Sequence, residues 1–161
     1  MNRIDYNNAV ADFSDAVYRF LLKKTNDEDT ARDLVQETYE KLWISKDKVN
    51  SEKVKSYIFT TAYHSFIDLV RRNKKFSDID ESKNNEYSHN EQYSDLHEIL
   101  NLAIEKLPDI QKSVILLRDY EGYSYLEIAE ITGLTESQVK VYIYRGRKFL
   151  QQFIGKMEMV I

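Results

Sequence analysis

The sequence predicts an all-α protein made of two small helical domains joined by a flexible acidic linker. Three observations lead to this prediction. The 161 residues include only four Gly and one Pro, which argues against a turn-rich β fold. Apolar residues recur in both halves at the i, i+3, i+4 spacing of an amphipathic helix. The middle segment, residues 76–98, is acidic and poor in aliphatic side chains.

Charge is distributed very unevenly along the chain. Residues 1–75 contain 14 Lys and Arg and 12 Asp and Glu. The corresponding counts are 1 and 7 in residues 76–98, and 8 and 8 in residues 99–161. The net charge of −4 therefore arises in the middle. We interpret 76–98 as a solvated linker, and the alternative is a segment that occupies a basic channel in a partner. The two domains are then 1–75 and 99–161.

Residues 1–75 contain three helical patterns. The first has an apolar stripe of Val10, Phe13, Val17, Phe20 and Leu21. The second, from about Asp27 to Ile44, has a core stripe of Ala31, Leu34, Val35, Thr38, Tyr39, Leu42 and Trp43. Its opposite face carries Arg32, Asp33, Gln36, Glu37, Glu40 and Lys41. That polar face is either solvated or docks another protein, and periodicity does not decide between the two.

The third pattern, roughly Val54 to Lys75, has aromatic residues on every side. Tyr57, Phe59, Tyr63 and Phe66 precede a cationic end of Arg71, Arg72, Lys74 and Lys75. Exposed aromatic rings beside cations suit single-stranded nucleic acid, because unstacked bases bind to ring faces while cations follow the backbone. The alternative is a small core that uses many aromatics. We expect some of these rings to be exposed.

Residues 124–148 have the outline of a helix-turn-helix. Ser124 with Glu127, and Thr135 with Gln138, have the spacing of capping boxes, so two helices are predicted to begin eleven residues apart. Gly133 lies between them and can take the positive φ of a sharp turn.

The second helix of this unit has two faces. One is a buried stripe of Val139, Tyr142, Ile143, Gly146, Phe149 and Leu150; the other carries Gln138, Lys140, Val141, Tyr144, Arg145 and Lys148. Four cations and no acid lie between Lys140 and Lys148. This face is suited to DNA phosphates and to base edges in a major groove. The alternative is a basic helix end that complements the macrodipole.

Other classes of protein are disfavoured. The chain has no Cys, and its three His (His64, His89 and His97) lack the spacing of metal ligands or catalytic bases. It has no Gly-rich phosphate loop, so we expect no enzyme activity, metal or cofactor. No apolar run approaches a membrane span, and the N-terminus lacks a signal-peptide core, so a cytoplasmic protein without membrane insertion is expected.

These motifs together resemble a bacterial RNA polymerase sigma factor of the extracytoplasmic-function type. DTARDLVQETYEKLW (29–43) is similar to region 2.2, SYIFTTAYHSFIDLVRRNKK (56–75) to regions 2.3 and 2.4, and residues 104–150 to region 4. Leu107 and Pro108 match the Leu-Pro that opens region 4 in the family. The resemblance implies a sigma2-like helical bundle and a sigma4-like helix-turn-helix domain. It implies core RNA polymerase, through the β′ clamp helices and the β subunit, and promoter DNA as partners, with an anti-sigma factor as a further candidate.

The resemblance also implies roles for individual residues. It assigns docking on polymerase to Asp33, Gln36 and Glu37. It assigns opening of the minus-ten element to the loop of about Ser45 to Lys53 and to the third helix. The residues of that helix with this implied role are Tyr57, Phe59, Tyr63, His64, Asp68, Arg71 and Arg72. It assigns recognition of the minus-thirty-five element to Lys140, Val141, Tyr144 and Arg145, beside Gln138. Arg147 and Lys148 are then expected near phosphates.

The chain departs from the family pattern at several of these positions. His64 stands where the family usually has Asn, Thr60 and Tyr63 where it has Arg, and Val141-Tyr142 where it has Ser-Arg. The promoter sequences therefore cannot be carried over from a relative. Two other classes stay open at this stage: a helix-turn-helix regulator that acts without polymerase, and a module that binds polymerase without reading DNA.

Overall fold

The computed structural model describes residues 1–76 and 96–160, and every regular element in those ranges is helical. Most of the predicted linker, 76–98, lies outside the described residues. The helices are α1 (Arg3–Thr25), α2 (Glu28–Ser45), α3 (Val54–Phe76), α4 (Leu96–Glu105), α5 (Asp109–Ile115), α6 (Tyr125–Thr132) and α7 (Glu136–Val160). Because α4 begins at Leu96, its first turn falls in the segment that the sequence assigns to the linker.

Helices α1 to α3 form the first domain. Capping fixes two of their starts: Asn2 and Asp5 form a capping box before α1, and the Asp27 carboxylate accepts a hydrogen bond from the Asp29 N–H before α2. The predicted core stripes meet between the helices, where Val17, Leu42 and Ile58 are fully buried. Two short 3₁₀ turns, Lys46–Lys48 and Ser51–Lys53, connect α2 to α3.

Trp43 departs from the predicted core stripe of α2. Its side chain is 42% exposed. The Tyr6 ring meets the indole edge to face at 4.9 Å, and the Lys46 ammonium lies 3.6 Å from the indole centroid. The placement of Trp43 in the core is therefore wrong, because α2 is near its end there and α1 covers only one side of the ring.

Helices α4 to α7 form the second domain. Helix α5 runs on into a π-helical turn, Leu116–Tyr120, in which the Glu121 N–H donates to the Leu116 carbonyl at 3.1 Å. This extra residue in the turn directs Leu116 and Leu117 inward and leaves Asp119 exposed. Val114, Ile128, Ile131 and Val139 complete the core.

The two domains pack against each other through α1 and α3 on one side and α5 and α6 on the other. Their buried residues form one continuous hydrophobic cluster. None of the helices in the described ranges is both long enough and apolar enough to cross a membrane.

Candidate nucleic-acid interfaces

The helix-turn-helix has the geometry that its sequence predicts. The Ser124 hydroxyl accepts from the Glu127 N–H and the Glu127 carboxylate accepts from the Ser124 N–H, both at 3.1 Å. At the start of α7, the Thr135 hydroxyl accepts from the Gln138 N–H at 3.1 Å, and Gln138 Oε1 accepts from the Thr135 N–H at 2.9 Å. Gly133 has φ +79°, which confirms the predicted left-handed turn.

Gly146 lets α7 lie close against α5. A Cβ at Gly146 would lie 3.0 Å from Cγ1 of Ile115, well inside an ordinary carbon contact. Val139 and Ile143 are buried on the same side of α7. This packing fixes the rotation of the helix and therefore the direction of its opposite face.

The opposite face of α7 is exposed at every residue that the sequence assigns to the minus-thirty-five element. The exposed residues are Gln138, Lys140, Val141, Tyr144, Arg145, Arg147 and Lys148. Tyr144 is the more open of the two large hydrophobic side chains among them, at 67% exposure against 44% for Val141. A protruding aromatic ring among cations can contact base edges or the sugar-phosphate backbone.

Two of the cations on this face have acidic partners. Arg147 forms a two-pronged ion pair with Asp119, and its Nε donates to Asp119 Oδ2 at 3.2 Å. The neighbouring carboxylate raises the pKa of Arg147. The Lys140 ammonium lies 3.7 Å from Glu136 Oε1, one helical turn earlier. Arg147 therefore braces α7 against the π turn, and a phosphate would have to compete with Asp119 for it.

The predicted minus-ten residues of α3 fall into two groups. His64, Asp68, Arg71 and Arg72 are exposed, and Tyr57 is half-buried beside them. Phe59 is 0% exposed and Tyr63 is 6% exposed, and Phe66 is buried as well. Of the two alternatives that the sequence left open for the aromatic residues of α3, these three rings follow the one in which a small core uses many aromatics. They form part of the core, and burial raises the pKa of Tyr63.

A groove lies along the exposed side of α3. It has a volume of about 340 Å³ and is lined by Lys41, Ile44 and Ser45 of α2 and by Tyr57, Thr60, Thr61 and His64 of α3. A second groove of about 390 Å³ shares Ser45 and Tyr57 with it and continues along Lys48, Val49, Asn50 and Lys53. The 3₁₀ connection between α2 and α3 thus adjoins the exposed residues of α3.

Sequence reasoning missed Ile44 and Thr61 as lining residues of this groove. Ile44, the approximate end of the second predicted helix, is 82% exposed. Thr61 could have been found from spacing alone, since Tyr57, Thr61, His64 and Asp68 recur at intervals of three or four.

The polar face of α2 is open. Asp33 and Gln36 are exposed, whereas Glu37 is half-buried. The Lys41 ammonium lies 3.0 Å from Glu37 Oε1 and donates to Ser65 Oγ on α3, also at 3.0 Å. Lys41 therefore joins the polar face to the neighbouring groove.

Two family models match the chain in the order of its two domains. Sigma-70 region 2 matches residues 9–76, and Sigma-70, region 4 matches residues 97–150. Together they span both helical domains. The chain belongs to the sigma-70 family of RNA polymerase sigma factors and is of the extracytoplasmic-function type, so it binds core RNA polymerase and directs promoter recognition.

Individual relatives agree with this assignment. The chain is 31% identical over 145 residues to the ECF RNA polymerase sigma factor SigM of Bacillus subtilis, covering 87% of this chain and 89% of the relative. It is 32% identical over 157 residues to the RNA polymerase sigma factor SigV of the same organism, covering 93% and 91%.

Among solved structures, the sigma factor RpoE in complex with the anti-sigma factor NepR from Bartonella quintana is similar over nearly the whole chain. The TM-score is 0.78 at 25% identity, and the match covers 94% of this chain and 97% of RpoE. The similarity thus extends over both helical domains.

Proposed function

We propose that three separate surfaces of this sigma factor divide the work of initiation. The polar face of α2 docks the clamp helices of the polymerase β′ subunit. The exposed side of α3, with its groove, holds the opened minus-ten element, and α7 reads the minus-thirty-five element. The observation that carries this proposal is the exposure of all seven assigned residues of α7 on one face of a capped helix.

The docking role of α2 is supported by its exposed Asp33 and Gln36. Neither side chain is needed by the core of the first domain, which lies on the opposite face at Leu34 and Leu42. Charged and polar side chains at an interface contribute to the specificity and the rate of association more than to raw affinity.

The minus-ten role of α3 is supported by the composition of the groove. Thr60 and Thr61 offer hydroxyls that donate and accept, and the imidazole of His64 can do both when neutral. An unstacked base needs such partners for its edge, because flipping costs a few kcal/mol that the pocket must recover. Arg71 and Arg72 lie further along the same helix, where they can follow the phosphates.

The minus-thirty-five role of α7 is supported by its exposed Lys140, Val141, Tyr144 and Arg145. Each domain alone offers a small DNA contact. Docking on polymerase makes the second contact effectively intramolecular, so the holoenzyme binds promoters far more tightly than the free protein does.

We further infer that the protein performs no catalysis of its own and works in the cytoplasm beside its polymerase. An anti-sigma factor is a candidate regulator, since the similar RpoE was solved with one.

The test is run-off transcription with purified core polymerase on a genomic library, followed by binding to the promoters obtained. The double variant Asp33→Ala/Gln36→Ala should bind core more weakly while helicity and melting stay near wild type. Asp12→Ala/Gln151→Ala, which removes an exposed acid and an exposed Gln elsewhere, is the matched control. Core binding equal to that of the control would refute the docking assignment. Equal promoter affinity with and without core, at matched salt, would instead favour a free-standing regulator.

A further inference from the structure

An acidic side chain lies beside the cations of the helix that is assigned to the minus-thirty-five element. Asp119 follows the buried Leu116 and Leu117 in the π turn and is itself exposed. Its carboxylate accepts from Nε of Arg147 at 3.2 Å through Oδ2, and Oδ1 accepts from Nη2 as well. A carboxylate repels DNA phosphates, so its presence on this surface calls for a physical reason.

Stability of the fold does not supply that reason. The side chains of Asp119 and Arg147 are 37% and 46% exposed, and ion pairs as open as this add little to the free energy of unfolding. The pair does join two elements, because Asp119 lies in the π turn and Arg147 lies on α7. Its main effect is therefore on the position of α7 and on the charge that α7 presents.

Arg147 lies at an edge of the exposed face of α7. Lys140 and Arg147 are seven residues apart, so they share one side of the helix. That side lies between the buried stripe, which contains Ile143, and the outermost residues, Val141 and Lys148. A helix in the major groove turns its outermost side to the bases and its edges to the phosphates of the groove walls. A free Arg147 would thus bind a phosphate of any sequence.

The two cations at this edge are held in different ways. The Lys140 ammonium lies 3.7 Å from Glu136 Oε1, and both residues belong to α7. Their pair masks charge, but it cannot fix the rotation of the helix that carries both of its members. Arg147 pairs with Asp119 of a neighbouring element, so this pair masks charge and also fixes rotation. Glu136 is therefore a matched comparison for Asp119.

We propose that Asp119 is a positioning residue that raises the selectivity of promoter recognition by acting through Arg147. It neutralises a cation that would otherwise bind any DNA phosphate. It also fixes the rotation of α7, which base reading requires and sequence-independent binding does not. The inference rests on the proposed function of α7 as the reader of the minus-thirty-five element. Asp119 thus shifts the balance of duplex binding from backbone contacts toward base contacts.

The salt dependence of binding to a duplex of scrambled sequence tests the masking of Arg147 in the free, full-length protein. Asp119→Asn keeps the shape of the side chain, removes its charge and frees Arg147. One further phosphate contact steepens the slope of log affinity against log salt by about 0.9, which makes binding up to about eightfold tighter at about 0.1 M salt. In an Arg147→Gln background the same change should steepen the slope far less, because no cation is freed. No steepening, or equal steepening in both backgrounds, would refute action through Arg147.

Discrimination by the holoenzyme tests the positioning of α7. The two probes are a promoter obtained by run-off transcription and the same promoter with its minus-thirty-five element scrambled, and the ratio of their affinities is measured. Each base pair that is read correctly contributes about fivefold or more, so Asp119→Asn should lower this ratio at least about fivefold. Glu136→Gln also removes one carboxylate and releases a cation at the same edge, and it should leave the ratio near that of wild type. Equal ratios for the two variants would overturn the proposal.

A conservative variant guards against misfolding. Asp119→Glu keeps a carboxylate beside Arg147, so it should restore both the ratio and the shallower salt slope that Asp119→Asn loses. Thermal melting followed by circular dichroism should stay near wild type for each variant, because both ion pairs are exposed. Normal melting with no recovery in Asp119→Glu would contradict a role for the charge. If core initiates at no template, the proposed function fails, whereas the salt slopes on the scrambled duplex still show whether Asp119 masks Arg147.

Discussion

The close approach of α7 to α5 predicts opposite outcomes for one substitution at two glycines of the same helix. Gly146→Ala and Gly155→Ala each gain up to about 1 kcal/mol of helix propensity. At Gly155 the new methyl meets no atom within 4 Å, so that gain remains. At Gly146 it would meet Ile115 Cγ1 at 3.0 Å and Cδ1 at 3.2 Å. Ile115 is fully buried and has little room to retreat, so overpacking should cost about 1–3 kcal/mol.

Gly146→Ala should therefore be neutral to about 2 kcal/mol destabilising, while Gly155→Ala stabilises. The difference between the two variants isolates the packing cost, because both change the same residue type on one helix. Urea unfolding followed by circular dichroism gives both free energies of unfolding, and binding to a minus-thirty-five duplex should weaken only for Gly146→Ala. Equal stabilisation of both variants would show that α7 does not depend on this contact for its position.

Two further predictions concern charged groups. Arg145→Ala should cost about 1–3 kcal/mol of specific promoter binding if it contacts a base, whereas a loss that is uniform across sequences would make it a phosphate contact. Lys24 faces Asp109 and Lys112 of α5 and the Phe66 ring of α3. Burial lowers the pKa of Lys24 to about 8, so folding releases its proton between pH 8 and 10.5. The free energy of unfolding of wild type minus that of Lys24→Met should therefore rise with pH in that window, by up to about 1.4 kcal/mol per unit. Tyrosine ionisations common to both proteins cancel in this difference, and a flat difference would contradict the burial of a charged Lys24.

Local signals in the sequence predicted the helix-turn-helix well. The capping boxes at Ser124 and Thr135 and the turn at Gly133 depend on groups within four residues of one another. The spacing that places Val139 and Ile143 in the core also places Lys140 and Tyr144 outside it. Each of these features is decided by the helix itself, so periodicity was sufficient.

The fate of the aromatic residues could not be predicted in this way. Phe59 is packed between two rings that lie far away in the sequence, Phe20 and Tyr123, and Tyr63 is buried as well. Trp43 is exposed because α2 nears its end there. Helical spacing specifies which residues share a face, but it does not specify which faces another domain will cover. For the same reason the Lys24–Asp109 pair, 85 residues apart, left no local signal.

The cap at the start of α7 limits how promoter preference can change in this protein. The Gln138 oxygen is already engaged with the Thr135 N–H, so only the amide NH₂ remains to meet a base. Exchanging Gln138 for another base-reading residue would also loosen the first turn that aims the helix. Efforts to retarget the protein to new promoters should therefore begin at Val141 and Tyr144, which can be varied without disturbing that turn.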